Sequence, residues 1–426
     1  MKKTKLILIA AILTCGLGHV SAQIHEDYEI LFTDDEGKQE IIEVPEGMTD
    51  YVSALDSLLI LFHDNALVID DACESSDENP YYSDEVIAER LSRMPNSIEM
   101  PFNSVVRQFI DRYTNRMRRS VSVMLGTSNF YMPIFEQALE SYNVPLELKY
   151  LPVIESALNP KAVSRVGATG LWQFMLATGK QYGLRVNSLV DDRRDPIRAS
   201  YAAARYLRDL YRIFGDWTLA IAAYNCGPEN VNKAIRRSGG SMDYWKIYPY
   251  LPSETRGYVP AFIAANYVMN YYCEHNICPM LTNLPEHTDT VVVNHNVSFA
   301  SIAKFCDIDI SLLRDLNPQY RRDLVNGLTE PSTIRMPLAS VNKFLEQQDS
   351  IMSYDAIHTG GHRTYVAVDE SRPKATTSHR SSSSSQRTYS RSGRSSSQAT
   401  SRYGRSAKGG SSAGQSTKTR KRGRRG

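Results

Sequence analysis

From residue 100 to about residue 285, apolar side chains recur at helical spacing with almost no strand-like alternation, and that pattern restricts the fold more than any other feature of this 426-residue chain. The runs "VVRQFIDRYTNRMRRSVSVML", "NFYMPIFEQALESYN" and "PLELKYLPVIESAL" come first. "DPIRASYAAARYLRDLYRIFG", "DWTLAIAAYNCG", "PENVNKAIRRSGG" and "GYVPAFIAANYVMNYYCEH" follow, each closed by Gly, Pro or Asn. Together they predict one mostly α domain over residues 96–286, and a content of 42% hydrophobic residues supplies apolar surface for its core.

The flanks differ in kind. "MKKTKLILIAAILTCGLGHVSAQ" sets Lys2, Lys3 and Lys5 before an apolar run and small residues, which predicts a signal peptide over residues 1–22, cut after Ala22. Thr14, Gly16, Gly18 and His19 break the run too early for a membrane-spanning anchor, and Leu13-Thr14 is a poor lipid-attachment context for Cys15. Residues 23–95 form an acidic extension that includes Asp34, Asp35, Glu36, Asp70, Asp71 and Asp77. Within it, "YVSALDSLLILFHD" spaces Leu55, Leu58, Leu59 and Phe62 as one docking helix would. Residues 287–340 turn to a β-branched run, two short amphipathic helices and the strand "TIRMP", a small β-α-α-β module. Residues 341–426 begin with helical "SVNKFLEQQDSIM" and continue in Ser, Arg and Gly, a basic tail too poor in apolar residues to fold and expected to be disordered.

The net charge of +2 therefore hides an acidic front and a basic end. Export would carry the tail away from nucleic acid, so no nucleic-acid partner is expected and an anionic envelope surface is the expected partner of the tail. Cleavage leaves Cys73, Cys226, Cys273, Cys278 and Cys306, an odd set in which at least one thiol stays free. Cys273 and Cys278 are the best local candidates for a bridge and lack the spacing of a zinc site, so no metal and no cofactor is expected.

Inside the helical block, "LPVIESALNPKAVSRVGATGLWQF" holds a single carboxylate, Glu155. On a helix it shares a stripe with Leu148, Leu151 and Leu158. Burial makes an ionised carboxylate costly, so the group is expected to keep its proton near neutrality, the state a general acid needs. Taken alone, Glu155 reads more plainly as a capped or salt-bridged acid near a helix end. Downstream, Ser164, Gly167 and Gly170 predict a loop whose glycines permit close backbone approach. "LWQFM" offers Trp172 as a stacking surface and Gln173 as an amide donor and acceptor, a set that suits a sugar ring. "AAYNCGPENV" ends a helix on Tyr224 and Asn225, and "ETRGYVPAF" sets Tyr258 just before the last helix. Asp191, Asp192 and Asp195, in an Arg-rich helix entry, read as capping residues rather than as a second catalytic acid.

In this order and spacing, "ESALNPKAVSRVGATGLWQFM", "AAYNCGPENV" and "ETRGYVP" resemble the three motifs of lytic murein transglycosylases. "DDRRDPIRASYAAARYLRDLY" with "GDWTLAIAAYN" is similar to the membrane-bound lytic murein transglycosylase D subgroup. The resemblance covers about residues 100–275 and implies a lysozyme-like helical catalytic domain. It also implies cleavage of the β-1,4 bond between N-acetylmuramic acid and N-acetylglucosamine without water, leaving a 1,6-anhydro end. Glu155 would be the catalytic acid and base, and Ser164, Gln173, Met175, Tyr224, Asn225 and Tyr258 would bind substrate, Tyr258 close to Glu155. Ser156 would support Glu155, and Cys226, standing where the motif often has a small residue, is given no role.

"VSFASIAKFCDIDISLLRDLNP" with "TIRMP" resembles a LysM module, which implies binding of N-acetylglucosamine-containing chains, although Asn296-Val297 stands where Gly-Asp is usual. Peptidoglycan strands are the implied partner, and the periplasm or cell envelope the implied location, with outer-membrane association left open. Two other readings also stay open. One is a hydrolytic muramidase of the goose-type lysozyme kind, separated by its reducing-end product; the other is a non-enzymatic wall-binding scaffold, which has no need of an acid on an apolar stripe.

Overall fold

Helices account for most of the described residues, as the periodicity predicts, and they gather around one that is buried on every side. The structure, a computed structural model, describes residues 29–33, 39–46, 48, 76, 78–95 and 97–358. The signal peptide, the "YVSALDSLLILFHD" helix and the Ser/Arg/Gly tail lie outside the described residues.

In chain order the first elements are β1 (Glu29–Thr33), β2 (Gln39–Glu43), α1 (Asp84–Arg93) and α2 (Ser104–Asp111). A π-helical turn, Arg112–Arg116, leads into α3 (Arg118–Glu140), and a 3-10 turn, Leu146–Tyr150, into α4 (Leu151–Ser156). Then come α5 (Leu176–Gln181), α6 (Pro196–Phe214), α7 (Trp217–Cys226), α8 (Pro228–Arg237), α9 (Tyr244–Ile247) and α10 (Ser253–Asn270). The sequence marks many of these boundaries chemically. Asp195 accepts from the amides of Ile197 and Arg198 ahead of Pro196, and Asp216 accepts from that of Leu219, so α6 and α7 each start on a side-chain cap.

All residues from 257 to 269 of α10 are buried, which makes it the axis of the domain. Its onset differs from the expectation. Tyr258 lies inside the helix and not before it, because Pro260 sits mid-helix without breaking it. Proline removes the amide that would bond the carbonyl four residues back, here that of Arg256. The buried Tyr244 hydroxyl donates to that carbonyl at 3.0 Å and so supplies the missing donor.

The acidic extension also carries more structure than a loose arm. β1 and β2 pair antiparallel, with Ile30 opposite Ile42, and Ile42 packs into the main core. The hairpin lies on α10 where Gly257 leaves no side chain, since a Cβ there would collide with the carbonyl oxygen of Glu43. Glu40 pairs with Arg256, and Ser253 Oγ donates to Glu43 at 2.6 Å.

A second core follows. It is built from β3 (Thr288–Val293), β4 (Asn296–Ser298), α11 (Phe299–Cys306), α12 (Ile310–Leu316), β5 (Leu324–Asn326) and β6 (Ser332–Pro337). β3 and β6 pair antiparallel, with Val291 opposite Ile334, which matches the β-α-α-β reading. α13 (Leu338–Glu346) and α14 (Gln348–His358) add Phe344 and Ile351 to the same core. Asp355 accepts from Ser298 N at 3.0 Å and Ser298 Oγ at 2.7 Å.

The expected Cys273–Cys278 bridge does not form. Cys273 is free and exposed at the start of a 3-10 turn, whereas Cys278 is buried and disulfide-bonded, and not to Cys273. Among the described residues no helix is long and apolar enough to cross a membrane.

Candidate active site

Glu155 reaches a cleft because its helix stops one residue later. Ala157 and Leu158 both take left-handed backbone conformations, with φ of 48° and 62°. For residues with a Cβ this costs about 1–2 kcal/mol each. Packing offsets the cost: Leu158 is buried in the core, and Ser156 Oγ donates to the carbonyls of Pro152 (3.1 Å) and Leu171 (3.0 Å), tying the helix end to the following loop.

That loop is folded tightly on itself. Ser164 N donates to Ala168 O at 2.9 Å, Ser164 Oγ accepts from Ala168 N at 3.1 Å, and Thr169 pairs with both Val163 and Phe174. Gly170 has φ of 87°, and an added Cβ would strike the carbonyl of Arg193, so the close approach read from the sequence is present. Gln173 holds φ of 45° and its Nε2 donates to Gly170 O at 2.8 Å. Trp172 does not offer a stacking face. Its indole is fully buried against Phe135 and donates to Ser200 Oγ at 2.9 Å, because the "GLWQF" turn points it inward.

The residues named from the sequence come together. Glu155, Ser164, Gln173, Met175, Tyr224, Asn225 and Tyr258 all line one cleft of about 630 Å³. Tyr224, at the end of α7, donates to Trp172 O at 2.8 Å, which locks the "LWQF" turn to the helix. Asn225 Oδ1 accepts from Thr255 Oγ1 at 2.7 Å, and its Nδ2 faces Glu254 at 3.4 Å. Met175, at the N-cap of α5, is 45% exposed on the rim. Asp191, Asp192 and Asp195 do not line this cleft and hold ion pairs or caps, as their position implies.

Tyr258 donates its hydroxyl to Oε1 of Glu155. Burial pushes the Glu155 carboxyl up to about 8; the Tyr258 hydrogen bond pulls the other way, and the charge of Glu254 adds to the rise. Burial, then the neighbouring Glu155 charge, holds the Tyr258 phenol well above its ordinary value, so it stays a donor. With Oε1 occupied by that donor, the proton of neutral Glu155 resides on Oε2.

Sequence reasoning missed several lining residues: Pro45, Glu46, Lys161, Tyr206 and Glu254. Glu254 falls ahead of the helix expected from sequence and lies in the first turn of the observed one, and no periodicity flags Glu46, whose Oε1 accepts from Arg165 N at 3.0 Å.

Two family descriptions match the chain. The family description "Transglycosylase SLT domain" matches residues 132–246, which include Glu155, Ser164, Gln173, Met175, Tyr224 and Asn225. "Lytic transglycosylase MltD, LysM-like domain" matches residues 287–353. The chain thus combines a transglycosylase SLT domain with an MltD-type LysM-like domain. Among individual proteins, it is 30% identical over 251 residues to membrane-bound lytic murein transglycosylase D of Escherichia coli K12, covering 58% of this chain and 55% of that protein. It is 36% identical over 124 residues to the soluble lytic murein transglycosylase of the same strain, covering 28% and 19%. The crystal structure of the 70 kDa soluble lytic transglycosylase SLT70 from Escherichia coli aligns with a TM-score of 0.30 and 32% identity, over 33% of this chain and 24% of that one. The chain spans about half the length of the first of these relatives.

Proposed function

We propose that the protein is a lytic transglycosylase of peptidoglycan, with Glu155 as its one acid and base. The observation that carries the reading is a carboxyl held neutral near pH 7 on a cleft, with a phenol donor on one oxygen. The neutral acid protonates the glycosidic oxygen between N-acetylmuramic acid and N-acetylglucosamine as the bond to the anomeric carbon breaks. The resulting carboxylate, steadied by Tyr258, then takes the proton of the muramoyl 6-hydroxyl. That oxygen closes on the anomeric carbon, forms the 1,6-anhydro ring and returns Glu155 to its neutral state. Ser164, Gln173, Met175, Tyr224 and Asn225 line the path of the glycan.

Hydrolysis would need a second carboxylate to activate water or attack the sugar. Glu254 also lines the cleft and its charge reaches Glu155, so it is the group that would serve. Its engagement by Asn225 favours a positioning role. The relatives' names place them in murein metabolism, one of them as membrane-bound, and peptidoglycan in the cell envelope is the substrate and location inferred for this chain. The basic tail adds affinity for an anionic envelope surface. Mass spectrometry of fragments released from purified sacculi tests the reaction: anhydro ends support it, and reducing ends replace it with hydrolysis. Glu155→Gln removes the transferable proton and should lower cleavage by about 10² to 10⁴-fold; digestion within a factor of a few of wild type would dismiss Glu155.

A further inference from the structure

Residues 185–195 lie between the cleft loop and the LysM-like module and bond to both. On the module side, Asp191 N donates to Gln319 O at 2.9 Å, Arg321 N donates to Leu189 O at 2.9 Å, and Val190 pairs with Tyr320. Asp191 itself is 1% exposed and its carboxylate is held from two directions. Arg193 donates to it through Nε at 2.9 Å and Nη2 at 2.8 Å; Arg321, from the module, reaches it at 3.4 Å. Burial alone would raise the Asp191 carboxyl, but the Arg193 hydrogen bonds and charge, with that of Arg321, hold it below the usual carboxylate range.

The remaining nitrogen of Arg193 completes the connection. Its Nη1 donates to Gly167 O at 3.0 Å and to Phe174 O at 3.2 Å, the two ends of the loop that carries Gln173 to the cleft. The Arg193 carbonyl is also the atom against which Gly170 packs. One side chain therefore clamps the cleft loop while its other nitrogens are oriented by Asp191. A planar guanidinium with donors in fixed directions can hold both partners only in one orientation.

We propose that Arg321 is a positioning residue: through Asp191 and Arg193 it fixes the 164–175 loop for glycan binding, so that the LysM-like module braces the cleft. The glycan identity rests on the function proposed above. Arg321 suits the test because it is partly exposed and the backbone bonds to Leu189 and Gln319 keep the module docked without its side chain.

The experiment uses the full chain carrying Glu155→Gln, with a tetrasaccharide of alternating N-acetylglucosamine and N-acetylmuramic acid as probe. Adding Arg321→Met should weaken binding about fivefold, the low end of ordinary coupling between sites. Amide hydrogen exchange should quicken in residues 164–175 and stay unchanged in α4, and Arg321→Lys should restore both readouts. In the enzyme with Glu155 intact, Arg321→Met should raise KM and leave kcat nearly unchanged. Unchanged exchange in the loop overturns the proposal, even with weaker binding, since the loss would then arise in the module itself; so does unchanged affinity with a lower Tm. Failure of the Glu155→Gln chain to bind the tetrasaccharide at all would count against the substrate assignment, while loop exchange would still decide the role of Arg321.

Discussion

Tyr258 and Glu155, 103 residues apart in sequence, meet through a hydrogen bond from the phenol to the carboxyl, and α10 carries the phenol on a turn buried on all sides. The bond favours the carboxylate and so holds the Glu155 pKa below where burial alone would leave it. Tyr258→Phe should therefore move the alkaline limb of kcat/KM upward and lower kcat. Loss of a hydrogen bond to a charged group is worth about 1.5–3 kcal/mol, roughly ten- to a hundredfold in rate. An unmoved limb and an unchanged rate, with only Tm reduced, would make Tyr258 a packing residue.

Gly167 and Gly170 share a left-handed φ but not a neighbourhood. At Gly170 an added methyl meets the Arg193 carbonyl, whereas at Gly167 nothing lies within 4 Å. Gly167→Ala should cost about 1 kcal/mol, the conformational penalty alone. Gly170→Ala should cost well over that and also weaken glycan binding, because the clash displaces the turn that presents Gln173. Urea denaturation of both variants checks the comparison, and equal losses would mean that the close approach carries no stability.

Much of this architecture is legible in the sequence for physical reasons that can be named. α6 and α7 each announce their start with a capping Asp, and α6 announces its existence with an apolar stripe as well. The cleft residues of α7 and the 164–175 loop stand beside glycines and helix ends, which local chemistry marks. What is not legible depends on distant partners. Pro260 reads as a helix start unless Tyr244 is known to cover the Arg256 carbonyl, and Trp172 reads as a platform unless Ser200, 28 residues away, is known to take its N–H. The β1–β2 hairpin is built from EILFT and QEIIE, in which apolar and polar residues do not alternate, and it gains its place from the bare backbone at Gly257. The role of Arg193 is of the same kind, since its partners come from separate stretches of chain.

From Ser371 to the end the sequence has fifteen Lys and Arg and no acid. If the tail acts by charge, a chain ending at His358 should keep full cleavage of soluble fragments and bind whole sacculi less tightly at low salt. The difference should close as the Debye length falls toward about 8 Å at physiological ionic strength. Sedimentation of both chains with sacculi over a salt series measures this, and equal binding throughout would remove the electrostatic role.

Holding Glu155 neutral also makes stability depend on pH in a definite direction. Its carboxyl titrates near 4.5 when unfolded and is pushed up to about 8 in the folded protein. Between those values the folded state keeps a proton that the unfolded state has released, so stability falls as pH rises, by at most about 1.4 kcal/mol per unit. The contribution is complete below pH 4.5 and lost by about pH 8, above which both states are ionised. The side-chain amide of the Glu155→Gln variant cannot ionise, so the variant's stability advantage over wild type should widen from about pH 5 to about pH 8 and then level off. The same titration should bring kcat/KM down above about pH 8, because the free enzyme then lacks its acid. Urea midpoints for the two proteins at a series of pH values from about 5 to about 9 measure the gap. A gap that stays constant across that range would mean that Glu155 enters the cleft already ionised, and a general acid would have to be sought elsewhere.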